Sequence, residues 1–386
     1  MEFLAPLAGN LASALFIAAS FLFALTVVVF IHELGHFQVA RWCGVTIDTF
    51  SIGFGKEIAA FHDKHGTRWR IAWIPLGGYV KFMDDEGVAS TPSHETVSNL
   101  TEEQRQGAFH LKPLWQRAAI VAAGPIANFI LAILIFAGLA MSVGVTQMEA
   151  RVASVAPGTP AEAAGFQPDD VVIEISGRKI DDFNELRHVV STSAGRELTF
   201  IVDRGGEIIT LKAAPMLKEM NDEIAGKHSR PIIGIRADAN VSKVTHEQKG
   251  PIEAVALGVE KTYDIITGTL SYVGDIFMQR QSAEQLGGVV RIADAAGKVA
   301  SIGFIQLIHF TAFISVSIGL INLFPIPLLD GGHLVFYAVE AIRGKPLSDA
   351  AQEFSFRIGL AMILGLMVFG FWNDRGILAG WLSISS

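Results

Sequence analysis

Four long apolar stretches divide the chain. Leu11–Ile31 carries no charged side chain over 21 residues, and at about 1.5 Å rise per residue that matches a bilayer core. Ala118–Val145 and Ile302–Leu329 are comparable, while Ile358–Trp372 is shorter and would need Arg357 to snorkel outward. Between the first two runs the period changes to two. Thr46–Ile52 and Thr67–Trp73 alternate, interrupted by Gly53, Gly55, Gly66 and Gly77–Gly78, which predicts short antiparallel strands. From Arg151 to Pro215 the composition is that of a small soluble domain. Ile252, Val255, Val259, Tyr263, Ile266, Leu270, Val273 and Phe277 then recur at three- and four-residue steps. That describes an amphipathic helix lying on a membrane surface or packed on protein.

The pattern predicts a polytopic α-helical membrane protein with about four transmembrane helices, a cytoplasmic-side membrane-associated β-hairpin region and one inserted α+β domain. Its expected boundaries are a first helix in 1–44, the β region in 45–83, a polar linker or lid in 84–113 and a second helix in 114–146. The soluble domain follows in 147–216, a linker in 217–250 and amphipathic helices in 251–300. A third span in 301–334, a cytoplasmic loop in 335–354, a fourth span in 355–374 and a tail in 375–386 complete the chain.

Composition agrees with a membrane protein: 51% of the 386 residues are hydrophobic and the mean hydropathy is +0.41. A formal net charge of −8 gives no reason to expect nucleic-acid binding. The single cysteine, Cys43, excludes an intrachain disulfide. No Lys or Arg precedes the first apolar run, which is longer than a signal-peptide core, so it is expected to stay as a span. Lys and Arg gather between Arg41 and Arg117 and again at Arg343, Lys345 and Arg357. By the positive-inside rule both loops are cytoplasmic, and the inserted domain is extracytoplasmic, periplasmic in a Gram-negative cell.

Candidate chemistry begins where the first run ends, at His32-Glu33-Leu34-Gly35-His36. Histidines at i and i+4 project from one helix face and can bind one zinc ion, while Glu33 between them can take a proton from the attacking water. A catalytic zinc needs a third protein ligand and an open position. Asp330, in Asn322-Leu323-Phe324-Pro325-Ile326-Pro327-Leu328-Leu329-Asp330-Gly331-Gly332-His333, is the acidic residue at the end of the third run. Pro325 and Pro327 predict an unwound helix end, tolerated at membrane depth where it lines a polar cavity. Spans one and three run in the same direction, so both motifs fall at cytoplasmic ends. His309 lies turns away from Asp330, and His333 is close enough to support the ligands from behind. In the second run, Gly124 and Asn128 sit one turn apart, suited to close packing and to holding a neighbouring polar group.

These motifs together resemble the site-2 protease family of intramembrane zinc metalloproteases, and more narrowly its bacterial regulator-of-sigma-E branch. The likeness rests on the HELGH of the first run, Ala122-Ala123-Gly124-Pro125-Ile126-Ala127-Asn128-Phe129, the Asn322–His333 motif and Leu286–Ile292. Val152–Gly177 with Phe183–Leu186 resembles a PDZ domain, a fold whose groove takes extended peptides or C-terminal carboxylates. The resemblance implies His32, His36 and Asp330 as zinc ligands, Glu33 as base and Asn322 as a residue holding substrate. It also implies that Gly53, Gly55, Gly77, Gly78, Tyr79 and Val80 belong to a region engaging substrate as a strand. One PDZ-like domain is found where the best-known members of that branch carry two.

The expected activity is hydrolysis of a peptide bond inside a transmembrane segment, on a membrane protein already trimmed by another protease, such as an anti-sigma factor, in the inner membrane. Zinc, lipid, the substrate span and an extracytoplasmic peptide are the expected partners. Two other readings stay open: a membrane-anchored peptide-binding protein with a structural metal, and a tethered metalloprotease cutting soluble cytoplasmic proteins.

Overall fold

The computed structural model describes residues 4–84, 101–193, 195–222, 226–238, 242–278 and 287–383. Much of the expected linker in 84–113, namely 85–100, lies outside the described residues, as do Leu286 and the last three positions. In chain order the first elements are α1 (Leu4–Trp42), β1 (Ile47–His62), β2 (Arg68–Phe82), α2 (Glu102–Gly107) and α3 (Leu114–Ser142). Then come β3 (Val145–Met148), β4 (Ser154–Val155), α4 (Pro160–Ala164), β5 (Val171–Ile175), β6 (Arg178–Lys179) and α5 (Phe183–Ser191). They are followed by β7 (Leu198–Arg204), β8 (Glu207–Ala213), β9 (Met216–Asp222), β10 (Gly226–Ile232), β11 (Ile235–Arg236) and β12 (Val244–Glu247). The remaining helices are α6 (Pro251–Phe277), α7 (Val289–Ile302), α8 (Phe304–Asn322), α9 (Asp330–Arg343) and α10 (Asp349–Ser383). The chain divides into two compact units, residues 1–135 with 287–386, and residues 136–286.

In the first unit α1 packs on β2, α7 and α8. It runs well past the apolar stretch because its last turns remain amphipathic: Phe37 and Ala40 are buried. Phe37 lies edge-on to Phe50 of β1 at 5.4 Å between ring centroids, and Phe50 meets Trp69 of β2 at 4.3 Å. Arg41, in the last turn of α1, reaches Asp63 at the hairpin turn. Asp63 also accepts from the Trp69 indole and from the backbone of His65 and Thr67. This clamp holds the hairpin against α1.

The β region differs from the short strands expected of it. Both strands are long, and Thr49–Ile52 of β1 is flanked by Gly78–Lys81 on one side and Arg68–Ile71 on the other. The curl depends on glycine: Gly53 and Gly55 both sit at φ 86°, a region costly for other residues.

The third apolar run is split. Gly303 separates α7 from α8, and α8 ends at Asn322 before an irregular connection through Pro325 and Pro327. In that connection Leu328 adopts φ 83°, uncommon for a bulky residue, and turns the chain into Asp330 at the start of α9. Part of the expected loop 335–354 is therefore helical, closed by Gly344 in the left-handed conformation. Gly359 of α10 packs against Pro327, where a side chain would collide with its Cβ at 2.9 Å.

Among the described residues, four helical segments are long and apolar enough to cross a membrane: Ala12–Trp42, Leu114–Ser142, Phe304–Asn322 and Ala350–Ile377. Leu364, Leu366, Val368, Phe371 and Trp372 are exposed along the last of them, a surface suited to lipid and not to water. The chain is a membrane protein.

The second unit has a core of its own, with Val152, Val172, Ile175, Leu186, Phe200, Val202 and Ile233 fully or almost fully buried. Its largest sheet has the order β6-β5-β7-β8. The stretch expected as a linker in 217–250 instead carries strands. β9 pairs with β10, β11 with β4, and β12 with β3. Ile233 is drawn into the core because the β11–β4 pair closes one side of the unit. In α6 the small or polar Ala254, Gly258, Thr262 and Asp275 are buried, whereas Ile252, Tyr263 and Phe277 are 87%, 64% and 83% exposed. The apolar stripe of this helix thus faces outward; its small-residue face does the packing, with Ala254 against Ala137 and Ala140 of α3.

Candidate metal centre

Three elements converge on the end of the apolar run in α1. His32 and His36 project one turn apart from α1, Asp330 opens α9, and α3 lies behind the imidazoles. His32 Nε2 stands 3.2 Å from Asp330 Oδ2, His36 Nε2 stands 3.6 Å from Asp330 Oδ1, and the two Nε2 atoms are 3.2 Å apart. Ligand bonds of about 2.0–2.2 Å in a tetrahedral site put ligand atoms roughly 3.3–3.6 Å apart, so this spacing fits one zinc ion. Asp330 Oδ2 is buried with no hydrogen bond of its own, an arrangement a cation resolves. Among the described residues this is the one group of three or more such side chains close enough to share a metal ion.

The rest of the sphere leaves room for that ion. Gly124 of α3 sits directly on both imidazoles: a Cβ there would overlap His36 Nε2 and come within 2.9 Å of His32 Cε1. Gly35 packs equally close to Ala123, where a Cβ would stand 2.8 Å from the Ala127 methyl, so α1 and α3 touch through their backbones. His36 Nδ1 meets the Ile120 carbonyl at 2.8 Å, which fixes that ring with Nε2 directed at Asp330. His32 Nδ1 meets the Asn128 carboxamide at 3.2 Å.

Glu33 lies within electrostatic reach of both histidines and Asp330, and its carboxylate accepts from the Val80 backbone N–H. The hairpin therefore meets the site directly. A Cβ on Gly78 would lie 3.1 Å from Glu33 Cγ and 2.8 Å from the Ser51 carbonyl oxygen. Tyr79 stacks on Phe54 at 6.1 Å between ring centroids.

The chain matches the model of peptidase family M50 over residues 20–366. It is 48% identical over 360 residues to a protein of Agrobacterium fabrum named as a zinc metalloprotease, covering 93% of this chain and 96% of that one. It is 41% identical to the metalloprotease MmpA of Caulobacter vibrioides, covering 93% and 95% of the two chains. The chain belongs to peptidase family M50. It is a zinc metalloprotease, and zinc is its cofactor.

In this M50 peptidase the expected residues fall as follows. His32, His36, Glu33 and Asp330 come together, with Gly124, Asn128 and Gly78 against them. Pro325 and Pro327 lie in the irregular connection, and Asn322 ends the helix that precedes it. His333 lies one turn into α9, its ring 5.7 Å from that of Phe356 and 6.1 Å from that of Phe336. His309 is not part of the metal-binding group. Gly53 and Gly55 shape the hairpin; Gly55 would bring a Cβ no nearer than 3.7 Å to Ile74. Two contributors escaped the sequence, the Ile120 carbonyl and the charged clamp between Arg41 and Asp63. A backbone carbonyl has no side-chain signature, and the clamp partners are remote in sequence.

Proposed function

We propose that this M50 peptidase hydrolyses a peptide bond within a transmembrane segment of a membrane protein already shortened by another protease, in the manner of the regulator-of-sigma-E branch. The observation that carries the reading is the position of the metal group. It is built within a helix suited to span the bilayer and is packed against a second such helix, α3. A site at that depth serves substrates that are themselves in the membrane.

Bound zinc supplies a Lewis acid that polarises the scissile carbonyl and acidifies the attacking water. Glu33 takes the proton from that water and returns it to the leaving amine. A helical substrate hides its amides in i→i−4 bonds and must unwind before attack. The hairpin compensates: Gly77–Val80 lies beside Glu33, and among the described residues its pairing is with β1 alone. The opposite edge can receive an extended substrate strand by β-augmentation. Asn322, in the last turn of α8, would hold the strand near the scissile bond.

The second unit would act as a PDZ-like size filter in the periplasm of an inner-membrane protein. In support, its α5 and the Ile232–Arg236 stretch border a cavity of about 480 Å³ lined by Phe183, Leu186, Val190, Ile233 and Ile235. That apolar groove between a helix and a short strand suits an extended peptide. The outward stripe of α6 favours the membrane-surface reading of that helix over packing on protein.

The test is cleavage in liposomes of a single-span substrate with a trimmed extracytoplasmic end, mapped by mass spectrometry. The expected cut lies inside the apolar segment and is absent from Glu33→Gln. Cleavage of a soluble substrate at an equal rate, independent of the bilayer, would support the tethered-protease alternative and overturn this reading.

A further inference from the structure

The two histidine ligands are held from behind in different ways, and the difference leads to a positioning residue. Both direct Nε2 at Asp330. An imidazole that binds a metal through Nε2 carries its proton on Nδ1, which must donate to an acceptor. For His36 the acceptor is the Ile120 carbonyl. For His32 the facing group is Asn128 Nδ2 at 3.2 Å, itself a donor, while Asn128 Oδ1 is buried and has no partner. Two donors cannot share that contact.

We propose that Asn128 fixes the metal-binding tautomer of His32, its carboxamide oxygen accepting the Nδ1 proton when zinc is bound. The carboxamide oxygen and nitrogen exchange places by a half-turn of the terminal torsion, and assignment of the two follows the hydrogen-bond network. The rest of Asn128 cannot move away. The residue is fully buried, its backbone carbonyl accepts from Ser315 Oγ at 2.8 Å, and Gly319 leaves only enough space that a Cβ would come within 3.2 Å of Asn128 Cβ. Ser315 and Gly319 both belong to α8, so one helix presses the amide onto the ligand held by another. Asn128 touches neither substrate nor metal, and its effect passes through His32.

The inference rests on the metal reading, and its test separates the two. Zinc affinity is measured by chelator competition on the purified full chain, for wild type, Asn128→Leu and Asn128→Asp. Asn128→Leu keeps the volume and removes the acceptor, and its affinity is expected to fall about 10–100-fold, the usual effect of losing such a partner. Asn128→Asp keeps an acceptor and is expected to stay within about threefold of wild type. A purely packing role would weaken both variants alike or neither, and either result overturns the proposal. Absence of zinc binding by wild type would instead sink the metal reading. Nitrogen-15 NMR of histidine-labelled, zinc-loaded wild type needs no variant: a protonated Nδ1 on His32 is expected, and an unprotonated one contradicts the assignment.

Discussion

Two aspartates, one in each unit, show how structure and chemistry differ in this chain. Asp170 is fully buried and fully satisfied: Arg204 donates to it at 2.6 and 2.8 Å, and the Gln167 backbone N–H at 2.9 Å. Nothing remains for a ligand. Asp330 is only half-buried, yet its Oδ2 is enclosed without a hydrogen bond and two imidazole nitrogens face the carboxylate. A carboxylate that closes its own hydrogen bonds stabilises a fold; one left open against other ligand atoms is set up to hold a cation. The same contrast extends to the surroundings. The second unit packs on large apolar side chains such as Phe200 and Leu186. The metal centre is packed through Gly35, Gly78 and Gly124, because its helices and hairpin must approach closely enough to crowd polar groups together.

The largest effect is expected from substitutions that remove the chemistry and leave the fold. Glu33→Gln should lower cleavage by at least about 10²–10⁴-fold, the usual contribution of a general base, with zinc content unchanged. Retained turnover in the liposome assay would contradict the role. Gly124→Val should be nearly as damaging, because its side chain would enter the space of both imidazoles. Loss of zinc with little loss of helicity by circular dichroism is the expected pattern.

The reverse experiment is Asp170→Asn. Breaking a buried pair costs about 3–5 kcal/mol where both partners are enclosed, and less here because Arg204 keeps 27% of its side chain exposed. Thermal unfolding should move down while zinc affinity stays at the wild-type value. Zinc loss without unfolding would mean that the two aspartates are not separable.

A smaller effect concerns the hairpin. Burial opposes ionisation of Asp84, but the His110 side chain and the backbone N–H groups of His110 and Phe109 outweigh it and hold the carboxyl below its ordinary range. Asp63 behaves alike: burial opposes ionisation, and hydrogen bonds from Arg41, His65, Trp69 and Thr67 prevail. A carboxyl depressed on folding contributes stability that is fully present above the unfolded value of about 3.9 and is lost as pH falls through the folded value. The clamps should therefore be intact at neutral pH and fail only below about pH 4. Asp63→Asn should cost about 1 kcal/mol at pH 7 and flatten the acid limb of a melting-temperature profile. An unchanged profile would remove the clamp from the account.

Much of the candidate site was legible because the residues expected to hold the metal are side chains in recognisable motifs. His32 and His36 announce a shared helix face, and the fold brings Asp330 to both. The spans were legible as well, though α1 and α10 extend beyond their apolar runs, since amphipathic turns continue a helix after hydropathy stops reporting it. The rest depended on contacts remote in sequence. Two of the strands within 217–250 form on distant partners, Ile235 on Val155 and Thr245 on Gln147, which no local pattern reveals. The hairpin looked short because Gly53 and Gly55 interrupt the alternation at the positions that let it curl. The Val80 amide and the Ile120 carbonyl act through backbone atoms, to which a sequence motif is blind.

On the proposed reading, His32, His36 and Asp330 hold one zinc ion while Glu33 acts on the attacking water. Zinc stoichiometry and affinity of the detergent-purified wild type, Glu33→Gln and Asp330→Asn test it most directly. One tightly held zinc is expected in the first two, and in Asp330→Asn an affinity weaker by at least about 10-fold. Equal zinc binding by Asp330→Asn and wild type, or zinc lost from Glu33→Gln alone, would contradict it.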